Sequence, residues 1–133
     1  MPRGIRALFA VIGLAIAALP AFAHHSLYAV FDEEQTVTLK GVVSKVEWVN
    51  PHVYLYIDVP DAAGKVTTWS IETFPPTTLR RAGLTREKLG YGQNITLLGY
   101  KARNGRDLAF LRTITFADGH EVLIALGDIK EVR

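Results

Sequence analysis

Cysteine is absent from the 133 residues of the chain. This absence excludes disulfides, thiol chemistry, iron–sulfur clusters and covalently attached c-type haem. The fold must therefore be stabilised by its hydrophobic core alone, even in a compartment where disulfides would form.

Recognisable enzyme motifs are also lacking. Ser26, Ser44 and Ser70 have no nucleophile-elbow context, and no glycine-rich loop is present that would bind phosphates. Glu47 and Glu72 read as isolated carboxylates on separate strands, without a spacing that indicates acid–base chemistry. The sequence therefore predicts a domain that is not an enzyme.

The first 23 residues have the layout of a secretory signal peptide. Arg3 and Arg6 form a positive start, and Leu8–Leu19 is an apolar run shorter than the roughly 20 residues of a membrane span. Pro20 then precedes the small-residue site Ala21–Ala23. We expect cleavage after Ala23 and a periplasmic or secreted protein; the alternative is an uncleaved N-terminal anchor.

Removal of this segment leaves the chain without an excess of positive charge. The chain has 15 Lys+Arg and 13 Asp+Glu, and loss of Arg3 and Arg6 leaves 13 of each sign. Nucleic-acid binding requires a basic face, so we expect no nucleic-acid partner. We also expect no stable membrane anchor after cleavage. A small ligand or a periplasmic partner protein fits this composition, whereas the oligomeric state is not indicated.

Residues 24–34 read as a polar lead-in, and residues 35–133 read as one domain of short strands. The hydrophobic alternation of the first strand changes phase near Gly41–Ser44, which predicts a bulge or sharp bend. Strict alternation, typical of a half-buried strand, places Val53, Leu55, Ile57 and Val59 on one side of the second. The predicted strands are Gln35–Val49, His52–Val59, Lys65–Thr73, Asn94–Ala102, Leu108–Phe116 and Glu121–Ala125.

A short helix is predicted between the third and fourth strands. It covers Leu79–Ala82, begins at Thr77 or Thr78 as N-cap and stops at Gly83, and another turn follows at Leu84–Leu89. A bent first strand and a helix in this position are typical of a small OB-like Greek-key β-barrel. The fold class is therefore all-β, with an immunoglobulin-like sandwich as the alternative.

The histidines suggest a metal site. Cleavage after Ala23 would expose His24 as the N-terminal residue, whose α-amine and ring nitrogen form a chelate that favours Cu(II). His25 and His52 would add further imidazoles. Copper is thus the candidate cofactor, ahead of zinc. The alternative is a flexible terminus beside histidines with local turn roles.

The outward face of the second strand suggests a different site. Tyr54 and Tyr56 alternate with the apolar positions, and the outward residues Thr68, Ser70 and Glu72 of the third strand should lie opposite them. OB-like barrels commonly bind ligands on this face through stacking aromatic rings. Trp48, Tyr54 and Tyr56 are the predicted ligand-binding residues; exposed tyrosines also occur on strands for cross-strand pairing alone.

The sequence resembles a family of exported bacterial proteins known only as a domain of unknown function. His24-His25-Ser26, the stretch Glu47-Trp48-Val49-Asn50-Pro51-His52 and Leu79–Gly83 carry the resemblance, which extends over the whole chain after the signal peptide. The family often has tryptophan where this chain has Leu84. The resemblance implies export and a single domain, and it implies no activity, ligand or catalytic residue.

Overall fold

The computed structural model describes residues 27, 29–125 and 128–132, of which Phe31 onward forms one compact unit. The predicted signal peptide and both His24 and His25 lie outside the described residues. Among the residues described, no helix is long and apolar enough to cross a membrane.

Strands dominate the described part of the chain. In sequence order the elements are β1 Phe31–Glu47, β2 Tyr54–Pro60, β3 Val66–Glu72, α1 Pro76–Arg81, β4 Asn94–Ala102, β5 Leu108–Phe116, β6 Glu121–Ala125 and β7 Asp128–Val132. The predicted bounds of β4, β5 and β6 are confirmed, whereas β7 was not predicted. The first strand begins at Phe31 rather than Gln35, because Phe31 is a buried core residue that pairs with Ala102.

The sheet closes on itself. The strands follow the order β3-β2-β1-β4-β5-β6-β7, and β3 also pairs with β5 in parallel, from Ser70 opposite Leu108 to Glu72 opposite Phe110. Strands β1 to β5 therefore form a ring, and β6 and β7 extend the sheet beyond it. This closure confirms the OB-like β-barrel and rules out the sandwich alternative, whose two sheets stay separate.

The first strand belongs to both sides of the ring. It pairs with β4 along most of its length and with β2 from Val42 to Glu47, and its register shifts between Val43 and Lys45. This irregularity confirms the predicted bend. At Gly41 the strands approach so closely that a Cβ atom would lie 2.4 Å from the carbonyl oxygen of Asp58. Only glycine fits there without displacing the neighbouring backbone.

The inward-pointing side chains of β2 and β3, and of the residue before β2, fill the barrel. Val53, Leu55 and Ile57 are fully buried as predicted, and Ile71 of β3 packs with them. Trp69, in the middle of β3 opposite Ile57, is only partly buried. Other fully buried side chains of the core come from the connection and from the later strands: Leu79, Leu84, Leu89, Leu97 and Ile114.

The connection between β3 and β4 differs from the prediction at its start. Pro75 is the N-cap residue and no side chain caps the helix, so the prediction of Thr77 or Thr78 in that role is wrong. The reason is that proline fits the first helical turn, and Pro76 occupies it. Gly83 ends the helix as predicted, with φ of +75°. The buried leucines of this segment hold it against the barrel.

Candidate functional site

The exposed side of β2 and β3 carries a dense set of polar and aromatic side chains, which we call the tyrosine face. Tyr54 and Tyr56 point outward because the intervening residues fill the core. In the observed register Tyr54 lies opposite Glu72, and Tyr56 lies opposite Ser70. The complete face consists of Lys45, Glu47, His52, Tyr54, Tyr56, Asp58, Thr68, Ser70 and Glu72.

One end of this face is formed by a histidine–carboxylate pair. His52 Nδ1 lies 2.5 Å from Glu72 Oε1, with side-chain exposures of 32% and 18%. The His52 ring also meets the buried Phe110 edge-on, with 6.5 Å between ring centroids. The carboxylate and the phenyl ring together fix the orientation of the imidazole. Glu72 is therefore not the isolated carboxylate that the sequence suggested.

The middle of the face contains a second charged group. The Tyr56 hydroxyl donates to Glu47 Oε2 over 3.2 Å, and Lys45 Nζ lies 2.5 Å from Glu47 Oε1. The same ammonium lies 5.1 Å from the centroid of the Tyr56 ring. The hydrogen bond from Lys45 lowers the pKa of Glu47, and the hydrogen bond to Glu47 raises the pKa of Lys45. Glu47 is thus also engaged rather than isolated.

The hairpin end of the face is organised around Asp58. Its Oδ1 accepts hydrogen bonds from the Thr68 hydroxyl at 2.6 Å and from the Ser44 hydroxyl at 3.2 Å. Ser44 belongs to the bend in β1, and its hydroxyl also lies 3.2 Å from the Tyr56 carbonyl oxygen. Side chains from the two neighbouring strands, β1 and β3, therefore hold this carboxylate of β2 in place.

Tyr54 differs from Tyr56 in having an unengaged hydroxyl. Within the described residues, no side chain or backbone group forms a hydrogen bond with it. Partial burial raises the pKa of Tyr54, and the nearby Glu72 carboxylate raises it further. The Tyr54 phenol therefore remains protonated at neutral pH and can donate or accept a hydrogen bond.

Trp48 occupies a different environment from the two tyrosines. It follows the last residue of β1, so alternation places it on the opposite side from Glu47. Arg86 of the β3–β4 connection covers its ring, with 5.4 Å from the guanidinium carbon to the ring centroid. The indole Nε1 is buried without a hydrogen-bond partner. The structure brings together Tyr54, Tyr56 and His52, and it does not bring Trp48 to them.

The described residues do not form a metal-binding site by themselves. Within residues 27, 29–125 and 128–132, no group of three or more histidine, aspartate or glutamate side chains could hold a metal ion. His52 has one carboxylate neighbour, and His24 and His25 lie outside the described residues. The copper site therefore stays a prediction.

Two grooves lie on another part of the surface. A groove of about 590 Å³ is lined mainly by the outer sides of β1, β4 and β5, including Lys40, Thr96 and Thr115. A second groove of about 620 Å³ adjoins it at Phe116 and extends to His120. We call the surface of the first groove the groove face. The tyrosine face lines neither groove.

The closed ring of strands, the helical connection and the exposed aromatic face define a small OB-like β-barrel domain. The chain belongs to a family of unknown function, DUF6152, whose model matches residues 11–110. No curated protein sequence matches the chain.

Solved structures with a similar fold have distant sequences. The mitochondrial single-stranded DNA-binding protein of S. cerevisiae is 12% identical, with a TM-score of 0.50 over 62% of this chain and 93% of that chain. The N-terminal domain of the PriB protein from Thermoanaerobacter tencongensis is 19% identical, with a TM-score of 0.47 over 64% of this chain and 98% of that chain. At these identities the likeness concerns the fold alone.

Proposed function

We propose that this chain is an exported, non-catalytic binding protein that holds a small polar ligand on the tyrosine face. The observation that carries the proposal is the set of hydrogen bonds among side chains on this face. Such bonds fix the polar groups before a ligand arrives, which lowers the entropic cost of binding. Tyr54 and Tyr56 supply flat apolar surface between them, and this combination is typical of ligand sites.

The charge of the face argues against nucleic acid as that ligand, although one similar fold belongs to a single-stranded DNA-binding protein. Glu47, Asp58 and Glu72 are acidic, whereas Lys45 is the one lysine or arginine in the set. Phosphates would meet like charge there, and single-stranded nucleic acid is normally bound in a positively charged groove. The balanced charge expected after signal cleavage supports the same conclusion.

A double substitution tests the tyrosine face. The chain beginning at His24 would be incubated with the small-molecule fraction of a periplasmic extract, and retained compounds would be identified by mass spectrometry. We expect a compound that is retained by the native chain and lost from the Tyr54→Ala/Tyr56→Ala variant. Tyr91→Ala is the matched control, because Tyr91 is 85% exposed and lies outside the face.

The outcomes of this test are distinct. Equal retention by all three proteins, or retention of nothing by the native chain, would contradict the proposal. Capture of a protein from the unfractionated extract, with no small molecule retained, would identify the partner-protein alternative. Circular dichroism must show that the double variant is folded; an unfolded variant would mean that the two rings stabilise the barrel itself.

Export is part of the proposal and has its own test. The signal-like first 23 residues support it, and the absence of cysteine is compatible with an oxidising compartment. Intact-mass spectrometry of the protein from a periplasmic fraction should give the mass of the chain that begins at His24. Recovery of the uncleaved chain from the membrane fraction would support an N-terminal anchor instead.

Copper binding is a second candidate function, favoured by the His52–Glu72 pair. A carboxylate on Nδ1 orients an imidazole so that Nε2 can bind a metal, an arrangement common around metal-ligating histidines. We propose that His24 and His25 would supply the other nitrogens. Calorimetric titration with Cu(II) should show binding to the chain that begins at His24 and weaker binding to a chain with one extra N-terminal residue. Equal affinity of the two would contradict the terminal chelate.

A further inference from the structure

We infer that the tyrosine face, if it is the binding surface proposed above, recognises a neutral, hydroxyl-rich ring such as a sugar unit of an oligosaccharide. Within this site we assign Tyr54 as the residue that contacts the ligand through its hydroxyl, and Tyr56 as a fixed platform beside it. The inference rests on which groups of the face are already engaged and which are not.

The hydroxyl of Tyr56 and one face of its ring are engaged by neighbouring side chains. Its hydroxyl donates to Glu47, and the Lys45 ammonium lies over its ring at 5.1 Å. A cation on the face of an aromatic ring is held by the ring's quadrupole. The position that a cationic ligand would take over Tyr56 is therefore filled by a group of the protein, and the hydroxyl has no proton left to donate.

Tyr54 presents the complementary situation. Its hydroxyl has no hydrogen-bond partner among the described residues. The ring is partly buried and lies opposite Glu72 in the β2–β3 ladder. An aromatic side chain whose body is packed and whose polar end is unengaged suits a ligand with both an apolar face and hydroxyl groups.

The carboxylates of the face determine the charge of the ligand. Glu47 is bound by Lys45, Glu72 by His52, and Asp58 accepts two hydroxyl protons. An ionised carboxylate has about four acceptor positions, so each retains room for a further donor. Sugar hydroxyls are such donors. An anionic ligand would be repelled, and a cationic one would find two of the three carboxylates already partnered by basic groups.

Three probe classes distinguish these alternatives. The chain beginning at His24 would be titrated calorimetrically with neutral oligosaccharides of glucose, galactose and N-acetylglucosamine, with oligothymidylate and with oligolysine. We expect binding of at least one neutral oligosaccharide in preference to both charged probes. Tyr54→Phe, which keeps the ring, should weaken that binding about tenfold, the effect of losing one hydrogen bond from a desolvated group.

Further variants test separately the ligand class, the role of the Tyr54 hydroxyl and the location of the binding surface. Tyr91→Ala should bind like the native chain, and Tyr56→Phe should weaken binding less than Tyr54→Phe. Tighter binding of oligothymidylate or oligolysine, lost in Tyr54→Ala, would overturn the ligand class and leave the face as the binding surface. Unchanged affinity in Tyr54→Phe would overturn the role of the hydroxyl. If no probe is bound, the inference fails, and the extract experiment decides the proposed function separately. If a bound probe is unaffected by Tyr54→Ala/Tyr56→Ala, the inference and its underlying proposal both fail.

Discussion

The tyrosine face and the groove face are two outer surfaces of one barrel, yet they are built differently. The groove face encloses about 590 Å³ and is lined by separate polar groups such as Lys40 and Thr96. Lys40 makes no ion pair within the described residues. The tyrosine face lines neither of the two grooves, but its three carboxylates are each held by another side chain. Orientation of polar groups, rather than volume, distinguishes the candidate site.

A tyrosine paired with a cation does not by itself make a site. Tyr100 of β4 has Arg112 at 5.8 Å from its ring centroid, much as Tyr56 has Lys45. The difference lies in the acidic residues: Glu47 binds both members of the Tyr56 pair. The Tyr100–Arg112 pair thus serves as an internal control: it is a tyrosine packed against a cation, without a carboxylate such as Glu47 that binds both side chains.

The largest loss of stability should come from a substitution at the seam between β1 and β2, beside the tyrosine face. Gly41→Ala would place a Cβ atom 2.4 Å from the Asp58 carbonyl oxygen and force β1 away from β2. We expect a loss of about 3 kcal/mol in the free energy of unfolding, measured by chemical denaturation. Gly99→Ala, 2.7 Å from the Phe110 carbonyl oxygen between β4 and β5, is the equivalent change on the other side.

The control for this pair is Thr38→Ala, an exposed change on β1 that should stay within about 0.5 kcal/mol of the native chain. If Gly41→Ala were as stable as Thr38→Ala, the close approach of β1 and β2 would be wrong. The position of the tyrosine face over that seam would then need revision.

A smaller effect is expected from the His52–Glu72 contact. A double-mutant cycle with His52→Ala and Glu72→Ala should give a coupling energy of about 1 kcal/mol, because both side chains are largely shielded from solvent. The hydroxyl–carboxylate contact of Thr115 and Glu121, 3.0 Å apart beside the groove face, should couple by about 0.5 kcal/mol. A His52–Glu72 coupling near zero would show that the pair does not orient the imidazole.

The smallest effect concerns pH. Burial raises the pKa of Tyr54 from its ordinary value of 10.0, so the folded chain holds this proton more tightly than the unfolded chain does. The resulting stability is present below pH 10 and is lost as the pH rises through the folded-state pKa. Phenolate absorbance should show one late-titrating tyrosine that disappears in Tyr54→Phe. Identical titration curves, apart from amplitude, would contradict the partial burial.

Local patterns predicted much of this fold. Alternation identified β2 and its buried side, and the phase change near Gly41–Ser44 located the bend that lets β1 serve both sides of the barrel. The prediction of the helix start was wrong, because the preference of Pro76 for the first helical turn outweighed the preference of Thr77 or Thr78 for the N-cap position. Phe31 was missed because its burial depends on a distant partner, Ala102.

The candidate site was predicted only in outline. Tyr54 and Tyr56 follow from period-two alternation, but the partners of Glu47 and Glu72 depend on strand register. A tight turn at residues 61–64, closed by a hydrogen bond from the Gly64 amide to the Asp61 carbonyl oxygen, joins β2 to β3. It sets Tyr54 opposite Glu72 and thereby makes His52 a diagonal neighbour of that carboxylate. The register of β2 and β3 was therefore the feature from which the contact between His52 and Glu72 could have been predicted. Trp48 was grouped with the two tyrosines by residue type, although alternation places it on the opposite side of β1 from Glu47. Its contact with Arg86 could not be predicted, because it depends on how the β3–β4 connection packs.

Ligand binding on the tyrosine face is distinguished from binding on the groove face by NMR spectroscopy. Backbone amide chemical shifts of the chain beginning at His24 should be mapped while the retained compound is added. Binding on the tyrosine face predicts that the largest shifts fall on Tyr54, Tyr56 and Glu72, with Lys40, Thr96 and Thr115 unchanged. Shifts concentrated on Lys40, Thr96 and Thr115 would contradict it.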